Sequence, residues 1–223
     1  DFKLFSAFND LLPYEIGISA AASDETVKNF ARLANIDLQT VANFDYTTTD
    51  GRQQRYNYLS QRATTITGDF ASFWTQDQVD LMIQAEGDQL RLAVKDKQET
   101  SILKPEQKSQ GFKWFLSFYI KIHGDDQTKS ILLIDEPGLY LHAKAQEDVL
   151  DVLTKRAAKY SQQIIYTTHS PYLIDADRLG RVKLVIKNDQ RTVIKDKIQS
   201  TADAETLTPI ITAIGLKLND GFT

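Results

Sequence analysis

The sequence predicts an α/β fold with a mainly parallel core sheet, and three observations carry that prediction. Ile131–Ile134 is a run of four apolar residues, the mark of a short strand. Gln163–Thr168, with Ile164, Ile165 and Tyr166 inside it, is a second strand. Between them, Ala143 to Tyr160 carries a helical pattern. Strand, helix and strand in this order form the crossover that parallel neighbours need, and such crossovers are almost always right-handed. The unbroken run Ile131–Ile134 also predicts a strand buried on both faces, the habit of parallel sheets.

The other elements follow in chain order. Residues 1–20 read as a short strand or loop with a turn at Pro13. Ser23 or Asp24 caps a helix with Val27, Phe30, Ala31, Leu33 and Ala34 on its apolar face, and Asp37 opens a shorter helix through Val41 to Phe44. Asp50-Gly51 is a turn signal. A longer helix over Arg52–Phe73 repeats Tyr56, Leu59, Ala63, Ile66 and Phe70 at three- and four-residue intervals. Arg52, Arg55 and Arg62 fall mostly off that stripe and read as a solvated face. Val79–Ala85 and Leu90–Val94 form a hairpin around Glu86-Gly87-Asp88. After Pro105 a helix starts near Gln110. Its Phe112, Phe115, Phe118 and Tyr119 read as a buried face, Trp74 and Trp114 as packing residues, and His123 as a cap or a solvent-facing side chain. Lys113 and Lys121 read as solvated. Val182–Lys187 and Thr192–Ile198 form a second hairpin. Thr201 or Asp203 opens a last helix ending near Gly215.

Composition narrows the classes. The 223 residues, 42% of them hydrophobic, can bury a substantial core. A net charge of −4, from 26 basic and 30 acidic side chains, gives no global attraction to nucleic acid. The lack of cysteine excludes disulfides and thiolate metal sites. No apolar run nears the ~18 residues of a membrane span, so a cytoplasmic location without membrane contact is expected. DFKLFSAF at the start and LNDGFT at the end read as the interior of a longer protein.

The chemistry gathers at the strand ends. Asp135 and Glu136 follow the first strand at once, and Thr167, Thr168 and His169 stand at the end of the second. Ligands of open α/β sheets sit at the carboxyl ends of strands. Adjacent buried carboxylates repel and are costly to desolvate, and a bound cation with a water to activate offsets that cost. The arrangement suits phosphoryl transfer, with one acid on Mg²⁺ and the other on the attacking water.

ILLIDEP resembles the Walker B segment of ABC-type ATPases, a class that includes RecF and the SMC proteins. IIYTTHSPYLID resembles their switch-histidine segment, and KSQGFKWF their signature motif, in the order of that class. DEPGLYLHAKAQ, SQGFKWFLSFY and THSPYLID together are similar to OLD-family (overcoming lysogenisation defect) proteins, as is FSAFNDLLPYEI near the start. The resemblance implies a partial P-loop NTPase domain of ABC-ATPase type over residues 1–223. It would comprise a helical insert at 24–75, the signature, Walker B and switch-His region at 76–175, and a hairpin and helix at 176–223. It implies ATP and Mg²⁺ as cofactors. Asp135 would bind the metal, Glu136 act as catalytic base, and His169 stabilise the γ-phosphate. Ser109, Gln110 and Gly111 would meet the nucleotide of a second subunit in a homodimer or larger homo-oligomer. DNA would be handled by the full-length protein. Gly138–His142 would communicate across the dimer, without the acid that transporters use there and with His142 nearby instead. Two departures stand out. Nothing fits G-x-x-x-x-G-K-[ST], so this chain by itself is expected to be inactive. The Toprim nuclease domain of OLD nucleases has no assignable residues here. A RecF/SMC-like repair ATPase and a non-catalytic ATPase-derived assembly module remain open alternatives.

Overall fold

The computed structural model describes residues 2–5, 12–97, 101–124, 130–188, 191–195, 208 and 210–212. They fall into two compact units, Asp1–Tyr166 and Thr167–Thr223.

The first unit opens with strand β1 (Phe2–Phe5), then β2 (Glu15–Gly17) and the short helix α1 (Ile18–Ala21). Helices α2 (Glu25–Leu33) and α3 (Leu38–Asn43) start where their aspartates predict. The Asp24 carboxylate accepts from the Val27 N–H at 2.9 Å, and that of Asp37 from the Gln39 N–H at 3.0 Å. Each satisfies a donor the helix cannot.

Helix α4 (Thr49–Ala71) begins earlier than expected, capped by Thr48, whose Oγ1 accepts from the Gly51 N–H at 3.1 Å. Asp50-Gly51 is therefore not a turn but part of the first helical turn. Gly51 serves a close approach instead: a Cβ there would lie 2.0 Å from the Asp45 carbonyl oxygen. Of the arginines of α4, Arg52 is exposed as expected, whereas Arg55 and Arg62 are fastenings rather than a solvated face. Arg55 is buried and donates to the Gly87 carbonyl at 2.9 Å. Arg62 lies 3.4 Å from the Tyr58 ring centre and donates to the Asn35 carbonyl. Arg52 donates to the carbonyls of Tyr46 and Thr47. Tyr56, expected on the apolar stripe, is exposed.

Strands β3 (Val79–Glu86) and β4 (Gln89–Asp96) form the expected hairpin, in register from Val79↔Asp96 to Glu86↔Gln89. β2 adds antiparallel to the other edge of β4, and β5 (Ile102–Leu103) also pairs with β4. After a 3-10 turn at Pro105–Gln107 comes α5 (Gln110–Gly124), buried on nearly every side. Phe70 meets Phe112 and Phe115 edge-on at 5.9 Å and Tyr119 at 5.2 Å, which makes α5 the centre of an aromatic core. Trp74 and Trp114 pack there as expected. Lys113 and Lys121 are half-buried rather than solvated. His123 is half-buried rather than turned to solvent. Its ring lies 4.9 Å from those of Phe73 and Tyr119, and among the described residues its buried Nε2 meets no hydrogen-bond partner. Burial, followed by the nearby Arg156 and Lys159 cations, pushes its pKa down to about 4.

Strand β6 (Ile131–Ile134), helix α6 (Ala143–Tyr160) and strand β7 (Gln163–Tyr166) form the predicted crossover. β1 and β7 flank β6, both parallel to it. At the entry to this pair the Gln162 side chain donates to Ser130 Oγ at 2.8 Å in the interior. The strands are not buried on both faces. Leu132 and Ile134 are buried, Ile131 and Leu133 only half so, and Ile165 is 56% exposed. That alternation belongs to a sheet packed on one face. β7 stops at Tyr166, so Thr167 and Thr168 lie beyond it.

The second unit holds 3-10 turns at Pro171–Leu173 and Ala176–Arg181. Strands β8 (Leu184–Asn188) and β9 (Arg191–Lys195) form its antiparallel hairpin. Residues 196–198 and most of the expected helix from Thr201 to Gly215 lie outside the described residues. Thr208 and 210–212 are helical.

Candidate functional site

β6 and β7 run in step, with Ile134 opposite Tyr166, so both strands end level on one edge of the sheet. Asp135 leaves that edge exposed to solvent, and Glu136 is half-buried. The two carboxylates are thus not sealed in a dry interior, and solvent relieves the desolvation cost expected for a buried pair. Their turn is tight. Glu136 has φ +45°, in the left-handed region, and Gly138 has φ +76°. For a residue with a Cβ that conformation costs roughly 1–2 kcal/mol.

Two sets of contacts hold the turn. The Leu141 N–H donates to the Gly138 carbonyl at 2.9 Å. From the first turns of α6, the Gln146 Nε2 amide donates to the carbonyls of Gly138 at 3.1 Å and Leu141 at 3.0 Å. His142 caps α6, its Nδ1 accepting from the Ala145 N–H at 3.4 Å. Beyond Gly138, Leu139 and Tyr140 are exposed.

The start of α5 meets this turn. Ser109 is exposed and caps α5, its Oγ accepting from the Phe112 N–H at 3.2 Å. Gln110 is exposed as the first helical residue. Gly111 lies against the turn, where a Cβ would come within 3.0 Å of the Tyr140 carbonyl oxygen and 3.1 Å of Leu141 Cδ2. Its glycine therefore answers a packing demand within its own chain. Ser109 to Gly111 and the turn after Asp135-Glu136 are brought together in one body.

His169 belongs to the second unit, on the irregular segment three residues past Tyr166. It is exposed. The segment is shaped by hydroxyls, with Thr168 Oγ1 accepting from the Ser170 N–H at 3.0 Å and Ser170 Oγ from the Tyr172 N–H at 3.3 Å.

Carboxylate oxygens are the hard donors that Mg²⁺ takes, and that ion commonly uses only one or two of them, with waters and phosphate oxygens. Asp135 and Glu136 fit such partial ligation. No cluster of three or more potential metal ligands forms among the described residues. The open N-terminus of α5 is a place where N–H groups meet phosphate oxygens. The sequence puts Gln146 and Lys144 in the first turn of the crossover helix, within reach of the site, but assigns Gln146 no role, because its two carbonyl partners come to it only on folding.

Residues 31–175 match the protein family described as "AAA domain, putative AbiEii toxin, Type IV TA system". The match spans well over half of the chain, and the chain belongs to that family. Over 119 residues it is 34% identical to the uncharacterized protein MJECL43 of Methanocaldococcus jannaschii, covering 50% of this chain and 30% of that protein. Over 64 residues it is 42% identical to an OLD nuclease of Thermus scotoductus, covering 28% of this chain and 12% of the nuclease. The chain thus spans less than a third of the length of these curated relatives. Solved structures similar to it include an SMC head bound to the C-winged helix domain of ScpA, with a TM-score of 0.47 and 13% identity over 70% of this chain and 48% of that one. Another is an SMC ATPase from work on ATP-driven dimerization, with a TM-score of 0.46 and 18% identity over 72% of this chain and 97% of that one.

Proposed function

We propose that this chain is the ATP-binding and hydrolysing domain of an OLD-family-like ATP-dependent nuclease, one that dimerises around ATP to regulate DNA processing. The observation that carries this reading is the level ending of β6 and β7, which sets Asp135-Glu136 at the carboxyl edge of a parallel sheet. The family match and the likeness to the OLD nuclease support it. Asp135 holds Mg²⁺, which when bound neutralises charge on the phosphate oxygens. Glu136 accepts a proton from the attacking water. His169 follows the neighbouring strand and stabilises the γ-phosphate. Ser109, Gln110 and Gly111 present the start of α5 to the nucleotide of a second subunit. The domain spans residues 1–223, with 24–75 as its helical insert, 76–175 as its signature, Walker B and switch-His region, and 176–223 as its C-terminal part.

The test is ATP turnover by the full-length protein. Glu136→Gln keeps the size of the side chain and removes the base, and kcat is expected to fall at least ~100-fold, the usual scale for general-base catalysis. Turnover at the wild-type rate would sink the assignment. The absence of a G-x-x-x-x-G-K-[ST] sequence from these residues favours a second reading, a non-catalytic assembly module. Calorimetry decides between them, because tight MgATP binding excludes the module.

A further inference from the structure

We infer that Gln146 is a positioning residue for Glu136, a role that rests on the function proposed above. The argument starts from the turn. Glu136 sits in a conformation that its own Cβ disfavours, so something outside it must hold it there. Pro137 and Gly138, both buried, follow it, and the chain then doubles back through Leu139 and Tyr140 to Leu141. The backbone closes the loop with a hydrogen bond from the Leu141 N–H to the Gly138 carbonyl. The Gln146 amide adds two more, one to each end of it, and its Cγ would lie 3.3 Å from any Cβ on Gly138. A single side chain on a rigid helix therefore staples both ends of a four-residue loop that begins two residues after Glu136. The same loop is the seat of Gly111. The staple thereby fixes the distance between Ser109 at the head of α5 and the carboxylate of Glu136.

The donor is what matters in this arrangement. Both partners are carbonyl oxygens, so a group of equal size without N–H donors cannot replace the amide. Glutamate at this position is such a group.

The experiment uses the full-length protein with Gln146→Glu, Gln146→Ala, Gly111→Ala and Glu136→Gln. Steady-state ATPase kinetics, hydrogen exchange without nucleotide, and thermal melting are measured on each. In both Gln146 variants kcat is expected to fall about 10- to 100-fold, the scale of an ångström-sized misplacement, with KM within about twofold. The Leu141 amide exchanges faster, while the melting temperature shows the rest of the protein intact. Gly111→Ala, which pushes the loop from the other side, lowers kcat in the same way, and adding it to Gln146→Glu multiplies the loss by less than the two single factors. A Gln146→Glu protein with wild-type kcat, or one in which only KM moves, overturns the inference while Glu136→Gln is still inactive. Turnover that survives Glu136→Gln removes the base itself, and the role of Gln146 with it.

Discussion

His123 shows what burial does to a titratable group. Its ring is packed between Phe73 and Tyr119, with Arg156 and Lys159 near enough to oppose a further positive charge. The folded protein holds it at about 4 against an ordinary 6.5, so above pH 6.5 both folded and unfolded states carry a neutral ring. Between the two values the unfolded chain binds the proton and the folded one does not. Stability therefore falls as pH drops from 6.5 towards 4, by up to about 3 kcal/mol for a shift of this size. Denaturant titrations at pH 7 and pH 4.5 check it, and His123→Phe is expected to flatten the difference. At this scale local chemistry was the legible part. Asp24 and Asp37 announce their helices because a cap needs only neighbours three residues away. Arg55 was opaque, since its burial depends on the Gly87 carbonyl across another element. Gly51 misled because glycine marks two different needs, an unusual backbone angle and a lack of room, and the sequence does not separate them.

Among the elements, α5 is the one on which the others lean. Its last residue, Gly124, touches α2 so closely that a Cβ would fall 2.6 Å from Asn29 Cβ and 2.7 Å from its carbonyl oxygen. Arg32 crosses the same contact, donating to the Gly124 carbonyl and to Asn29 Oδ1, both at 2.9 Å. Gly124→Ala must force the two helices apart, and a loss of about 1–3 kcal/mol is expected in chemical denaturation. α6 is tied in a different way. Its buried Asp148 accepts from the Thr75 N–H, the Thr75 hydroxyl and the Gln76 amide, which binds the crossover helix to the exit of α4. Periodicity revealed α5 and α6 with almost their true limits, because each carries its apolar residues at helical spacing. It could not reveal that β1 lies beside β6, a pairing of residues far apart in the chain whose partners are chosen by the whole sheet.

For the molecule as a whole, the proposal makes self-association depend on nucleotide. Full-length protein with Glu136→Gln is expected to sediment as a dimer with MgATP and to dissociate without it. Ser109→Asp offers a sharp control. An aspartate still caps α5, so folding is preserved, but its charge meets the phosphate of the second subunit. The melting temperature should hold and the MgATP-driven dimer should be lost in sedimentation. The acids and their strands were legible at this scale because a four-residue apolar run ending in two carboxylates states both an element and its edge. The bracing of the loop behind them was not, since Gly111, Tyr140 and Gln146 converge only when α5, the turn and α6 are assembled.

The backbone angle at Glu136 has one more consequence. A chain selecting residues for comfort would set glycine or asparagine at such a bend, where a long acidic side chain has no steric welcome. The backbone angle itself thus gives no reason for glutamate there. Under the role proposed for its carboxylate, glycine at 136 should yield a sturdier molecule that no longer turns over ATP.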